Sequence, residues 1–295
     1  MTHGRAVGGL VFVTLVWGAT FTVVKGALDD ASPMALVAAR FGLATLLLLP
    51  LAPRITRAEV SAGLVLGLLF WGGIAVQTTG LADTTPSRSA FITSLTASLV
   101  PLVGWLVHGE RPGVRVLLAI AVATAGLYLL TDPGTGGPNR GDLLTAAGAV
   151  LFAGHIVAIG RFTGRGDAGR LLLVQLATTA LLAAIAAPLV GNQRFTASPA
   201  LILALLFLVS TAIGTFWFQI RAQRVLSPAE TGIIFTLEPV FASIMSWLVI
   251  GETLSVTQGF GGALVVVAMS LSALRARRDR QAPAEAISGD RPRPA

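Results

Sequence analysis

The chain has 295 residues, of which 54% are hydrophobic and 12% charged, with 21 Lys and Arg against 14 Asp and Glu. A mean hydropathy of +0.79 excludes an ordinary soluble domain and makes the bilayer the solvent. The absence of cysteine excludes disulfide frameworks, thiolate metal sites and thioester or thioether lipid anchors.

A helix crosses a hydrocarbon core about 30 Å thick with roughly 20 apolar residues. Ten stretches approach that length. Their runs are too long, and too free of period-two alternation, for barrel strands, so the predicted fold class is all-α integral membrane. Arg5 precedes the first run as in a signal peptide, but the next run follows within a few residues, so the first run reads as a helix.

The first span, 7–28, holds Trp17 and Thr20, and places Thr14, Gly18, Thr22 and Lys25 at helical spacing. That stripe suits either a solute path or close helix packing, with Lys25 snorkelling to the interface. The second span, 33–50, carries Arg40 seven residues in. A guanidinium there costs about 2.5–3.5 kcal/mol on insertion scales, so it needs a partner: Glu238 across the bundle or a substrate carboxylate. The third, 60–81, carries Trp71, Gln77 and Thr78; Trp71 and Thr78 are seven apart on one face, either walling a cavity or packing. The fourth, 89–107, contains Pro101, and the fifth is 114–130.

The sixth span, 143–160, contains His155, the histidine farthest from any span end, which serves as a proton switch or as a neutral buried hydrogen-bonding group. The seventh, 171–190, contains Gln175; the eighth, 199–220, contains Trp217 and Gln219. The ninth, 228–250, carries Glu238 ten residues in, about 15 Å along a helix and close to mid-membrane. Substrate binding, proton coupling and a structural carboxylate satisfied by a neighbouring helix are all open there. Pro239 removes a donor beside it and frees carbonyls near Phe235. The tenth span is 256–274.

The segment from Pro86 to Glu110 returns 142 positions later, from Pro228 to Glu252, with Ile92/Ile234, Leu95/Leu237, Trp105/Trp247 and Gly109/Gly251 identical. The same register pairs Gln77 with Gln219, and a weaker offset of 135 pairs Thr20 with His155 and Arg40 with Gln175. The chain therefore divides into a first repeat, 1–131, a second repeat, 141–274, and a basic, disordered tail, 275–295. Five spans is an odd number, so the second repeat enters the membrane inverted. Glu110 and Glu252, each between two spans, read as structural turn residues at the start of the following helix, where the macrodipole favours a carboxylate and Pro112 favours a helix start.

Most basic residues, including Arg5, Arg54, Arg57, Arg161, Arg170, Arg221, Arg224 and those of the tail, fall on one side; Lys25, Arg88, Arg140 and Arg194 fall on the other. This bias predicts a multi-pass protein of the cell (plasma or inner) membrane with both termini cytoplasmic, and it removes any need for a nucleic-acid partner.

Trp17-Gly18-Ala19-Thr20-Phe21, Pro101 through Gly109-Glu110, and Leu237-Glu238-Pro239-Val240-Phe241-Ala242 through Gly251-Glu252 together resemble the EamA-type transporters of the drug/metabolite transporter superfamily, over 7–274. The resemblance implies ten helices in two inverted halves, and a role in exporting amino acids, other metabolites or drugs. Pro101 aligns with Ser243, and Pro239 with Ala97, so the two proline kinks are predicted one helical turn apart and the halves need not bend alike.

The expected function is secondary transport, with export of a small organic metabolite by alternating access and protons as a candidate coupling ion. A cationic drug efflux carrier and a non-transporting protein such as a lipid scramblase are the rivals. No metal-binding His pair, thiol nucleophile or phosphate-binding loop marks an enzyme, and no cofactor or metal is expected. The expected partners are the solute, membrane lipids and, as a candidate, protons; the sequence leaves the oligomeric state open, a monomer being compatible with it.

Overall fold

A computed structural model describes residues 1–51, 54–109, 113–130 and 138–268. Its helices are α1 (His3–Ala27), α2 (Pro33–Leu48), α3 (Arg57–Asp83), α4 (Pro86–Thr93), α5 (Thr96–His108), α6 (Val114–Leu130), α7 (Arg140–Phe162), α8 (Ala168–Leu189), α9 (Pro199–Ala222), α10 (Pro228–Phe235), α11 (Glu238–Ile250) and α12 (Val256–Ala268). With α4–α5 and α10–α11 each counted as one interrupted span, these make the ten spans expected. Among the described residues the β pairing is one isolated bridge between Ala31 and Phe195. Glu110 and the 275–295 tail lie outside the described residues.

Local chemistry sets the helix starts. Thr56 with Glu59, and Asn139 with Asp142, form capping boxes that satisfy the first orphan amides of α3 and α7. Pro33, Pro86 and Pro199 open α2, α4 and α9, where a missing N–H costs nothing. Gly109 and Gly251 end α5 and α11 at φ 79° and 68°, a left-handed cap that a side chain disfavours.

The two interruptions are equivalent. The end of α4, the start of α5 and the end of α5 map by the 142 offset onto the end of α10, the start of α11 and the end of α11. The two breaks are therefore in register, where Pro101 and Pro239 pointed to kinks one helical turn apart. At the first break Leu95 N donates to Ile92 O at 3.1 Å and Ala97 N to Ser94 O at 3.1 Å; at the second, Leu237 N donates to Ile234 O at 3.2 Å. The chain tightens to three-residue hydrogen bonding at both places, so the break belongs to the repeat and not to proline. Pro239 merely occupies the first turn of α11, and Pro101 lies within α5 without ending it.

The halves interlock through their first and third helices: α1 packs on α9, and α3 on α7. In the second pair Gly80 meets Gly141 and Gly73 meets Gly148, so the helices run antiparallel and the repeats are inverted. A Cβ on Gly141 would stand 2.4 Å from the Gly80 carbonyl, and one on Gly80 would stand 2.6 Å from the Gly141 carbonyl. Backbone atoms cannot yield as a flexible side chain can, so Gly141→Val is expected to cost about 1–3 kcal/mol or more. Thermal unfolding in detergent should fall well below that of Gly4→Ala, a position with nothing within 4 Å.

Candidate functional site

Between the halves lies a cavity, part of it open to solvent. Its wall draws on α1 (Trp17, Thr20, Phe21, Val24), α2 (Arg40), α3 (Phe70, Ile74, Gln77, Thr78, Leu81), α7 (Phe152, His155, Ile156) and α9 (Phe216, Gln219). Both helix breaks also reach it, the first through Thr93, Ser94, Thr96 and Ala97, the second through Phe235 and Glu238. The repeat is written into this wall. The 142 offset pairs Ile74 with Phe216, Gln77 with Gln219, Thr93 with Phe235 and Thr96 with Glu238. The 135 offset pairs Trp17 with Phe152, Thr20 with His155 and Phe21 with Ile156. A cavity lined by related positions of both copies surrounds the pseudo-twofold axis.

Aromatic rings form one side. Trp17 stacks 4.9 Å from Phe235 and 5.1 Å from Phe216, and Phe70 meets Phe216 at 4.6 Å and His155 at 5.3 Å. Trp17 is fixed by its indole N–H, which donates to Thr215 Oγ1 at 2.8 Å. The tilted geometries are those aromatic pairs prefer, and they make a rigid apolar wall.

Two charges break the symmetry. Arg40 is buried, donates from Nε to the Leu208 carbonyl at 3.2 Å, and lies 4.9 Å from the centroid of the Phe41 ring. Its counterpart Gln175 is neutral. Glu238 begins α11, in its first turn, and is 8% exposed; its counterpart is Thr96. Among the described residues no ion pair joins Arg40 to Glu238 or either to another side chain, so the pairing expected across the bundle is not made. Both face the cavity. The positive end of the α11 macrodipole supports a carboxylate at Glu238, and the Leu208 carbonyl and Phe41 ring support the cation.

The remaining expected residues separate by helical face. Gln77 donates to Thr93 Oγ1 at 2.8 Å and so ties α3 to α4 at the cavity edge. His155 Nε2 lies 3.2 Å from Gln175 Oε1, which places Gln175 behind His155, off the cavity. Trp217 is also off it, 40% exposed, with the Arg221 guanidinium 4.7 Å from its ring centroid. Phe216 and Gln219, three residues apart, take the inward face of α9, and a helix turns Trp217 about 100° away. Trp71 packs beside Met34, Ala75 and Ala187, while Phe70, Ile74, Gln77 and Leu81 follow helical spacing along the cavity.

The stripe of the first span is a packing surface. A Cβ on Gly18 would meet the Ala242 amide at 2.8 Å and the Glu238 carbonyl at 3.0 Å, so α1 and α11 touch there. Lys25 donates to the carbonyls of Leu81, Ala82 and Thr84 at 2.9–3.0 Å and caps the end of α3, where the sequence pointed to snorkelling. Glu252 also has a different setting from the one expected. Its Oε2 accepts from the amide and hydroxyl of Ser87, at 3.3 and 3.0 Å, and from the Ser246 hydroxyl, so it sits at the start of α4 rather than of α12. Sequence reasoning missed Phe70, Thr93, Thr96, Phe152, Phe216 and Phe235; the offset of 142 applied to Glu238 leads to Thr96, and the offset of 135 applied to Trp17 leads to Phe152.

Residues 5–132 and 139–274 match the EamA-like transporter family, one match per repeat. An uncharacterized transporter of Archaeoglobus fulgidus is 32% identical over 270 residues, covering 90% of this chain and 85% of its own. The uncharacterized transporter YyaM of Bacillus subtilis is 26% identical, covering 88% and 90%, and the uncharacterized inner membrane transporter YedA of Escherichia coli is 26% identical, covering 90% of each chain. One protein crystal structure shares the fold with a TM-score of 0.69 at 19% identity, over 94% of this chain and 99% of that one.

Proposed function

The chain belongs to the EamA-like transporter family, and from that premise we propose that it exports a small zwitterionic metabolite with an apolar or aromatic body, by alternating access of the cavity and in exchange for protons taken up through Glu238. The observation that carries this reading is one cavity, built by both repeats, holding a cation and a carboxyl group that no protein charge neutralises among the described residues. Arg40 offers its terminal N–H groups to a carboxylate, Glu238 takes an ammonium group or a proton, and the aromatic wall takes the body. Both termini lie in the cytoplasm, as the distribution of basic loops favours.

Three probes delete one pole at a time in proteoliposomes: phenylalanine, 3-phenylpropionate without the ammonium, and phenethylamine without the carboxylate. Phenylalanine is expected to be carried best, and Arg40→Gln to reduce its transport at least about tenfold, the loss of one charge-assisted contact. Phenethylamine carried best, with no effect of Arg40→Gln, would instead identify a cation efflux carrier.

A further inference from the structure

We propose that Gln219 determines specificity: its side-chain oxygen accepts a hydrogen bond from a donor group of the transported solute, and Gln223, which does not line the cavity, holds it in that orientation. The assignment of oxygen and nitrogen in an amide follows from its partners. Gln223 Nε2 lies 3.0 Å from the Ile156 carbonyl, a group that only accepts, so that end of Gln223 must be the nitrogen. Gln223 Oε1 then faces Gln219 at 3.1 Å, and the facing atom of Gln219 must be its nitrogen. Reversing either amide would set two acceptors against each other. The oxygen of Gln219 is then the acceptor left over, buried and without a partner among the described residues.

Gln219 is 1% exposed and lines the cavity. A buried acceptor left unpaired is costly, and an N–H group brought by the solute removes that cost. Its repeat counterpart is held otherwise: Gln77 spends its N–H on Thr93 of the neighbouring helix, and position 223 corresponds to Leu81, which offers no such lock. The two equivalent glutamines therefore divide their work, Gln77 bridging helices and Gln219 reading the solute.

The inference rests on the zwitterion reading above, and the same proteoliposomes test both. The readout is the ratio of kcat/KM for phenylalanine to that for 3-phenylpropionate, which retains the ring and carboxylate and lacks the ammonium donor. Gln219→Met is expected to lower the ratio roughly tenfold, mainly through a higher KM for phenylalanine, because sites built around a hydrogen bond discriminate against a ligand that lacks it. Gln223→Met, which removes the acceptor that fixes the Gln219 amide, should lower the ratio too, although that residue is off the cavity. An unchanged ratio in Gln219→Met, with phenylalanine still carried in an Arg40-dependent manner, overturns the role of Gln219 alone. Failure of the native protein to carry either probe overturns the substrate class and this inference together.

Discussion

Exchanging Glu238 for glutamine should give a folded transporter whose transport no longer answers to an imposed pH gradient. The carboxyl group stands at the break of the ninth span, in the first turn of α11, 8% exposed and without an ion-pair partner among the described residues. A carboxylate at that depth is costly unless a proton or a cationic group neutralises it. The same break in the first repeat carries Thr96, whose hydroxyl donates to the Ala149 carbonyl at 3.1 Å and cannot exchange a charge in this way. Only one of the two equivalent positions can therefore couple, which favours a single exchangeable proton per cycle. For one proton, each unit of pH difference is worth about 1.36 kcal/mol, so the steady distribution of phenylalanine across the vesicle should shift about tenfold. In Glu238→Gln that shift should vanish while passive exchange at equal pH persists, because glutamine keeps the size and hydrogen-bonding capacity of the side chain. A variant that still follows the gradient as the native protein does removes Glu238 from the coupling role.

The ten spans, the duplication and its inversion were legible because they are written in run length, repeat register and span parity. So was the pool of polar residues at membrane depth, since Arg40, His155, Gln219 and Glu238 stand out from apolar surroundings by type alone. What escaped was direction. A helix turns about 100° per residue, so whether Phe216 or Trp217 faces inward depends on the packing of α9 against α1, and composition favoured the wrong neighbour. The helix breaks were also hidden. Proline is a visible cause of bending, yet the interruptions at Ser94–Leu95 and Thr236–Leu237 arise from a local change in hydrogen-bond spacing, which no single residue type announces. The partners of Lys25 and Glu252 were hidden for a third reason: each satisfies the end of a helix distant in sequence, and such partners exist only once the bundle has formed.

The contact made by Glu252 leads to the other large effect, an asymmetry between the two ends of the transport path. Glu252 ties the end of the ninth span to the start of α4 through the amide and hydroxyl of Ser87, with Ser246 donating to the same oxygen. Arg88, the next residue, pairs with Asp142 of α7 at 2.5 Å, so this face is laced across both repeats. By the 142 offset, Ser87 corresponds to Ala229 and Ser246 to Gly104, and the hydroxyls that serve Glu252 have no equivalents for Glu110. Hydrogen bonds to a charged acceptor contribute about 1.5–3 kcal/mol each, so removing even one shifts an open-to-closed ratio roughly tenfold or more. Ser87→Ala combined with Ser246→Gly copies the chemistry of the other repeat and should release the Glu252 face. The chain has no cysteine, so a Leu81→Cys reporter on the cavity wall gives a clean labelling site. In vesicles, an impermeant maleimide applied from the Glu252 face should modify that cysteine at least about tenfold faster in the double variant, and Glu252→Ala should do the same. Equal labelling rates in protein that retains native thermal stability would show that these hydrogen bonds hold the helix ends without controlling access.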